Sequence, residues 1–393
     1  MLAEVHGQNC YAADRDSVRL DQATLPLRKV FLFQPGRSVH PTLMTSKPHP
    51  RRQFGSDNFA GICPEAWAGL AEANHGHSES YGNDPWTDDA CRLIRAVLEV
   101  DCEVFFVFNG TAANSLALAS FCHSYDGIFC HQLAHVEKDE CGAPEFFTGG
   151  AKLIPLPGAN AKLDPATLEH AAQARTDIHF CKARAVTITQ GTEAGTVYTP
   201  EEIRALTSTA HRLGLTVHMD GARFANAVAS LGCRPREITW EAGVDVLSFG
   251  GTKNGIPVGD AVVFFNKELA REFDYRAKHG GQLASKMRFM SAPWVGMLRD
   301  GAWLRHAAHA NAMAQRLETA VGGLASIRVS YPRQANAVFV QMAPALARAL
   351  EARGWTFYQM HGEPDYRFMC AWDTQPEDVD AFAKDVREVA AGR

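Results

Sequence analysis

From about residue 103 to 265 the chain alternates compact apolar runs with stretches of helical periodicity, and this alternation limits the possible folds more than any other feature. The strand-like runs fall at residues 103–108, 127–130, 152–156, 184–189, 215–219, 244–249 and 261–265. Between several of them lie helical patterns, notably 200–213, 222–231 and a strong helix former from Thr111 onward. Helical patterns precede them too, at residues 65–73 and 88–100. Short continuous apolar runs separated by helices are what strands buried on both faces require. The expected class is therefore α/β, with a large domain whose mainly parallel sheet is sandwiched by helices.

At 393 residues the chain outgrows a single core, so a second domain is expected. The pattern changes near residue 294. A long helix over 294–321 leads to short strands near 326–329, 337–341 and 367–371, and an amphipathic helix closes the chain over 376–391. This gives a large domain at 54–293 and a smaller C-terminal α+β domain at 294–393. Residues 1–53 hold scattered prolines and basic residues (Pro35, Pro41, Pro48, Pro50, Arg51, Arg52) without a sustained period, and read as a poorly ordered extension. Met44 is an alternative start, because recognisable pattern begins only at Phe54.

Net charge is −5 with acids and bases interspersed, so no basic stripe points to nucleic acid. No apolar stretch reaches the length of a membrane span, and no secretory signal is visible at the N-terminus. The ten cysteines form no C-x-x-C pair, and read as small buried hydrophobes of a reducing compartment, which favours a cytoplasmic protein.

Ligands of open α/β sheets bind beyond the carboxyl ends of strands, and three polar features fall there. Asn109-Gly110-Thr111 follows a strand and opens a helix, where free N–H groups and glycine suit a phosphate; a plain turn with a threonine cap would look the same. Asp220 ends the run 215–219, where a carboxylate could keep a cofactor ring nitrogen protonated or simply cap the next helix. Lys253 lies among Gly250, Gly251 and Gly255, either as a Schiff-base lysine in a crowded site or as ordinary solvated surface.

The order phosphate turn, strand-end aspartate, strand-end lysine resembles that of pyridoxal phosphate enzymes of the aspartate aminotransferase fold. One branch is more similar still. Ser56-Asp57, Tyr81-Gly82-Asn83-Asp84-Pro85 and His218-Met219-Asp220-Gly221-Ala222-Arg223 resemble motifs of the L-threonine aldolases, from about Phe54 to near the C-terminus. The segment 139–147 looks like the low-specificity and phenylserine aldolase subgroup. The resemblance implies a fold type I enzyme with pyridoxal 5'-phosphate on Lys253, its phosphate at Asn109, Gly110 and Thr111, its ring beneath His135 and its nitrogen at Asp220. Arg223 and Arg367, assisted by Ser56, would bind the substrate carboxylate. Arg288 would reach a neighbouring subunit's phosphate, and Tyr81 would be donated across the interface of a homodimer or homotetramer.

The implied reaction is a lyase's. An L-β-hydroxy-α-amino acid (L-threonine, L-allo-threonine or a phenylserine-like substrate) is cleaved to glycine and an aldehyde. A β-eliminating lyase or aminotransferase of the same fold is the nearest alternative, and a cofactor-binding regulator a more distant one. One departure matters. Many threonine aldolases carry a second histidine where this chain reads Thr187-Ile188-Thr189-Gln190-Gly191-Thr192-Glu193. The base for the β-hydroxyl proton is then His135, Glu193 or a water, in that order. His131 with His135, and His75 with His77, could pair on a metal, but no third ligand is evident and none is assigned.

Overall fold

The computed structural model describes residues 53–360 and 364–392. The extension expected over 1–53 lies outside the described residues except for Gln53, as does the alternative start at Met44.

Seven strands form the larger sheet: β1 (Glu103–Val107), β2 (Asp126–His131), β3 (Lys152–Leu156), β4 (Lys182–Thr189), β5 (Thr216–Gly221), β6 (Val246–Phe249) and β7 (Asp260–Phe264). Their order is β1-β7-β6-β5-β4-β2-β3. All neighbours pair in parallel except β7, which runs against both β1 and β6. The α/β expectation holds, and the reversed β7 is the feature that apolar patterning cannot reveal. Successive residues along each strand feed opposite cores. Phe129, Val186, Leu247 and Val263 join one apolar cluster with Trp294, while Ile128, Ala185, Val246 and Val262 join another with Leu116 and Phe273. Burial on both faces is why these strands read as unbroken apolar runs.

The helices between strands begin on local signals. Helix Pro200–Arg212 opens with Pro200 in its first turn and a reciprocal cap between Thr199 and Glu202. Helix Gly110–Ala119 is capped by Asn109, whose side chain accepts from Ala112 N at 2.9 Å, rather than by Thr111. The helix expected from Ala222 starts at Phe224, because Asp220, Gly221 and Ala222 still complete the strand end and its turn.

The smaller sheet is antiparallel, in the order β10-β11-β9-β8, from β8 (Ile327–Val329), β9 (Ala337–Met342), β10 (Tyr358–Gln359) and β11 (Asp365–Met369). Phe54 is fully buried in its core, against Trp355 and Phe382. The single helix expected over 294–321 is instead two, Arg288–Arg299 and Ala302–Val321. Gly301 separates them in the left-handed region at φ +66, which interrupts the helical hydrogen-bond ladder. Among the described residues no helix is long and apolar enough to cross a membrane.

Candidate active site

The carboxyl ends of β1, β5 and β6 and the start of β7 meet at one edge of the larger sheet, bringing Gly110, Asp220, Lys253 and Asp260 together. Lys253 lies in the tight turn Thr252–Asn254 after β6. Asp260, at the start of β7, fixes that turn by accepting from Gly251 N at 2.8 Å and from Thr252 N and Oγ1 at 3.1 Å each. Gly250 must be glycine for a second reason: a Cβ there would stand 2.6 Å from the Ala222 carbonyl oxygen. The chain leaving β6 therefore presses on the chain leaving β5, two residues past Asp220. The Lys253 amine makes no hydrogen bond or ion pair among the described residues. Burial, and then the Arg223 charge, lower its pKa from the ordinary lysine range.

A buried polar chain runs from Asp220 to His135. Asn114 Nδ2 donates to Asp220 Oδ2 at 3.0 Å and to Glu140 Oε1 at 2.8 Å. The same Glu140 oxygen pairs with His135 Nδ1 at 2.8 Å. An amide NH2 has two protons to give, so Asn114 can separate two carboxylates that would otherwise repel. The hydrogen bond to Glu140 is the main cause of a raised His135 pKa, while burial raises that of Glu140 itself. His135 Nε2 is left for whatever occupies the cavity. Asp220 Oδ1 accepts from Ala222 N at 2.9 Å, so the aspartate also organises its own turn, although the residue capping the next helix is Arg223.

A cavity of about 580 Å³ opens beside this chain, and Ser56, His135, Arg223, Lys253 and Arg367 all line it. The two arginines differ. Arg223 is bound twice by the buried carboxylate of Asp57, which also accepts from Asn336 Nδ2 at 3.1 Å. Burial is the largest influence and opposes ionisation of Asp57, but the charge and hydrogen bonds of Arg223, with the Lys253 charge and the Asn336 amide, together outweigh it and hold the carboxyl below its ordinary pKa. Arg367 meets the carbonyl of Gly55 at 3.0 Å and lies 5.3 Å above the Tyr358 ring, and its buried Nε has no partner among the described residues. Burial, then repulsion from Arg223, lower its pKa to about 10. Ser56 spends its hydroxyl as acceptor for Asn58 N at 3.1 Å.

Asn109, Gly110 and Thr111 form the helix start nearest this edge. The N–H groups of Gly110 and Thr111 have no partner among the described residues, which leaves a helix N-terminus open to an anion. Tyr81 and Arg288 do not line the cavity. Tyr81 is 46% exposed at φ +61, with Lys278 Nζ 4.6 Å from its ring centre, and its N–H bonds Ser285 O. Arg288 donates to Ala73 O and packs on Phe289. Tyr81 is thus exposed and Arg288 half-buried, and neither reaches this chain's own cavity.

Glu193 ends the segment 187–193 that lacks a histidine. Its Oε1 accepts from His135 N and Thr189 Oγ1, each at 2.9 Å, while its buried Oε2 has no partner among the described residues. Burial, reinforced by the Asp220 charge, raises its carboxyl to about 7. His218, the first residue of the hexapeptide, is a neutral strut. It spans Thr187 Oγ1 at 2.8 Å and Ser248 Oγ at 3.0 Å, and burial lowers its pKa to about 4.

Four participants escaped the sequence: Asp57, Asn114, Glu140 and Asp260. Asp57 and Glu140 fall inside motifs that drew attention, but nothing local says that one would clamp an arginine and the other a histidine. Asn114 carried one usable signal, a polar residue within the apolar run Ala112-Ala113-Asn114-Ser115-Leu116. Asp260 carried another, a carboxylate opening a buried strand.

A profile of the beta-eliminating lyase family matches residues 53–345. A protein of Pseudomonas sp. (strain NCIMB 10558) named low specificity L-threonine aldolase is 57% identical over 338 residues, 86% of this chain and 98% of that protein. A protein of the same name from Pseudomonas aeruginosa is 56% identical over the same shares. Among solved structures, Leishmania major threonine aldolase superposes with a TM-score of 0.81 at 26% identity, covering 86% of this chain and 99% of that one.

Proposed function

The chain belongs to the beta-eliminating lyase family, among the low specificity L-threonine aldolases, and on that premise we propose how its own residues carry out the cleavage of L-threonine to glycine and acetaldehyde. The observation that carries the proposal is the Lys253 amine, partly buried and unpaired among the described residues, which lines one pocket with His135 and Arg367 and an adjoining one with His135 and Asp220.

Pyridoxal phosphate fits these residues. Among the described residues the amine of Lys253 has no competing partner and the amides of Gly110 and Thr111 are open to a phosphate, and a buried carboxylate oxygen of Asp220 is already directed by Asn114. When bound, the cofactor supplies an electron sink for the pair released by Cα–Cβ cleavage. Lys253 would hold it covalently, its lowered pKa favouring the free amine that must attack. Asp220 would keep a proton on the ring nitrogen, and His135 would lie against the ring.

Arg367 is the principal carboxylate binder in this reading, because its guanidinium has no ionic partner among the described residues. Arg223, held by Asp57, contributes charge and a fixed edge. Fixing the carboxylate sets which bond at Cα is broken. His135 accepts the β-hydroxyl proton, and Glu140 prepares it by holding Nδ1 and raising its basicity. Glu193 is the second candidate for that proton.

The cavity wall formed by Leu133, Phe339, Tyr358 and Met360 supports a wide substrate range, including L-allo-threonine and phenylserine-like side chains. Tyr81 and Arg288, both outside their own chain's cavity, support a homo-oligomer in which they complete a neighbour's site.

Replacing Lys253 with alanine is the direct test. The purified protein should lose the visible absorbance of a lysine-bound cofactor and its acetaldehyde release from threonine. A retained band would sink the assignment, and ammonia or a keto acid in place of acetaldehyde would favour an eliminating lyase or aminotransferase. Rates on L-threonine, L-allo-threonine and phenylserine rank the substrates.

A further inference from the structure

We propose that Cys63, Glu65 and His306 form a binding site for a thiophilic divalent cation, apart from the cavity that holds Lys253. Cys63 is wholly buried at the start of helix Pro64–Ala73, in the capping position, and its side chain makes no capping hydrogen bond. Glu65 lies in the first turn of the same helix, and His306 comes from helix Ala302–Val321. One donor atom from each lies within 4.8 Å of the other two. Ligands on a tetrahedral zinc ion, with bonds of about 2.0–2.3 Å, stand roughly 3.5 Å apart, so small side-chain rotations would close the set.

The contacts already present show where an ion would act. His306 Nε2 and Glu65 Oε2 share a proton at 2.8 Å, and the Cys63 thiol points at Met297 Sδ, 3.0 Å away. Binding would release the thiol proton to solvent and displace the proton between His306 Nε2 and Glu65 Oε2, so that the imidazole carries its single proton on Nδ1 and both Nε2 and the carboxylate oxygen become ligands. Met297 Sδ stands beside the thiolate as a fourth, weaker donor. Sulfur and imidazole with one carboxylate favour a zinc-like ion over magnesium or calcium. The His306 ring is held edge-on by Trp372, 5.2 Å away, whose Nε1 is anchored to Gly61 O. One charge opposes the ion: Arg305 Nη2 lies 3.5 Å from Glu65, but on Oε1, leaving Oε2 free for metal. Glu65 and His306 keep 31% and 17% of their side chains exposed, so the ion has a path from solvent.

The site also touches the machinery around Lys253. Cys63 N donates to Gly255 O at 2.9 Å, and a Cβ on Gly255 would meet Cys63 Cβ at 2.8 Å. Drawing Cys63 toward an ion pulls on the turn that carries Lys253, so zinc should lower activity through this contact.

Cobalt reports the geometry without depending on turnover. Co²⁺ is added to untagged, cofactor-loaded protein, and difference spectra are read for the visible bands of four-coordinate cobalt. The expected result is one equivalent per chain, displaced by Zn²⁺, and lost in both Cys63→Ser and His306→Gln, since each removes a direct ligand. Circular dichroism of both variants checks that each is folded, and Glu65→Gln serves if the buried cysteine variant is not. Absence of the bands in the unaltered protein, or their persistence in folded variants, overturns the site. Either outcome leaves the aldolase reading intact, since acetaldehyde release is measured separately.

Discussion

Arg223 is held to Asp57 by two parallel hydrogen bonds, Nε to Oδ2 at 2.7 Å and Nη2 to Oδ1 at 3.0 Å, with the carboxylate almost entirely buried. Removing one partner of a buried pair strands the other charge. Asp57→Ala should therefore lower unfolding stability by about 3–5 kcal/mol, read from urea denaturation. A loss below about 1 kcal/mol would show that water or the substrate site already compensates Arg223.

Arg367, by contrast, has no ionic partner among the described residues. Arg367→Gln should raise KM for threonine with a smaller change in kcat, by roughly 10- to 100-fold in kcat/KM, the value of about 1.5–3 kcal/mol for a charged hydrogen bond. An unchanged KM would move carboxylate recognition to Arg223.

His135 is tied to Glu140 through Nδ1 and free at Nε2. Its replacement by phenylalanine keeps a ring to stack and removes the proton acceptor. Turnover should fall about 10²- to 10⁴-fold, the range of general-base catalysis, with cofactor affinity much less affected. Equal turnover would pass the role to Glu193 or a water.

Glu193 carries a pH signature. Burial and the Asp220 charge raise its carboxyl from 4.5 to about 7 on folding. The folded state then binds a proton that the unfolded chain has released, so stability falls as pH rises through this window, by about 3 kcal/mol in full. Urea unfolding at about pH 5 and pH 8 should show that loss, and Glu193→Gln should flatten it. An equal slope in the variant would assign the effect to other groups.

The positions of the strand ends were legible because a strand buried on both faces must be apolar throughout, and the polar residue that ends the run is conspicuous. Asp220 stood out this way, as did the glycines around Lys253, among which Gly250 is required by its contact with Ala222. The two helices at 288–299 and 302–321 read as one, since a single glycine in an amphipathic pattern is ordinarily tolerated and its left-handed φ is set only in the folded chain.

By itself, the sequence determined the α/β class and the family resemblance, and singled out Lys253 and Asp220 as candidates, all from local pattern and short motifs. Tertiary structure decided the sheet order with its reversed β7, and every pairing between groups distant along the chain. Asp57 meets Arg223 across 166 positions, Asn114 meets Asp220 across 106, and His306 meets Glu65 across 241. The physical reason is that a buried charge or amide selects its partner from whatever folding brings within about 3 Å, and burial makes each unpaired alternative costly.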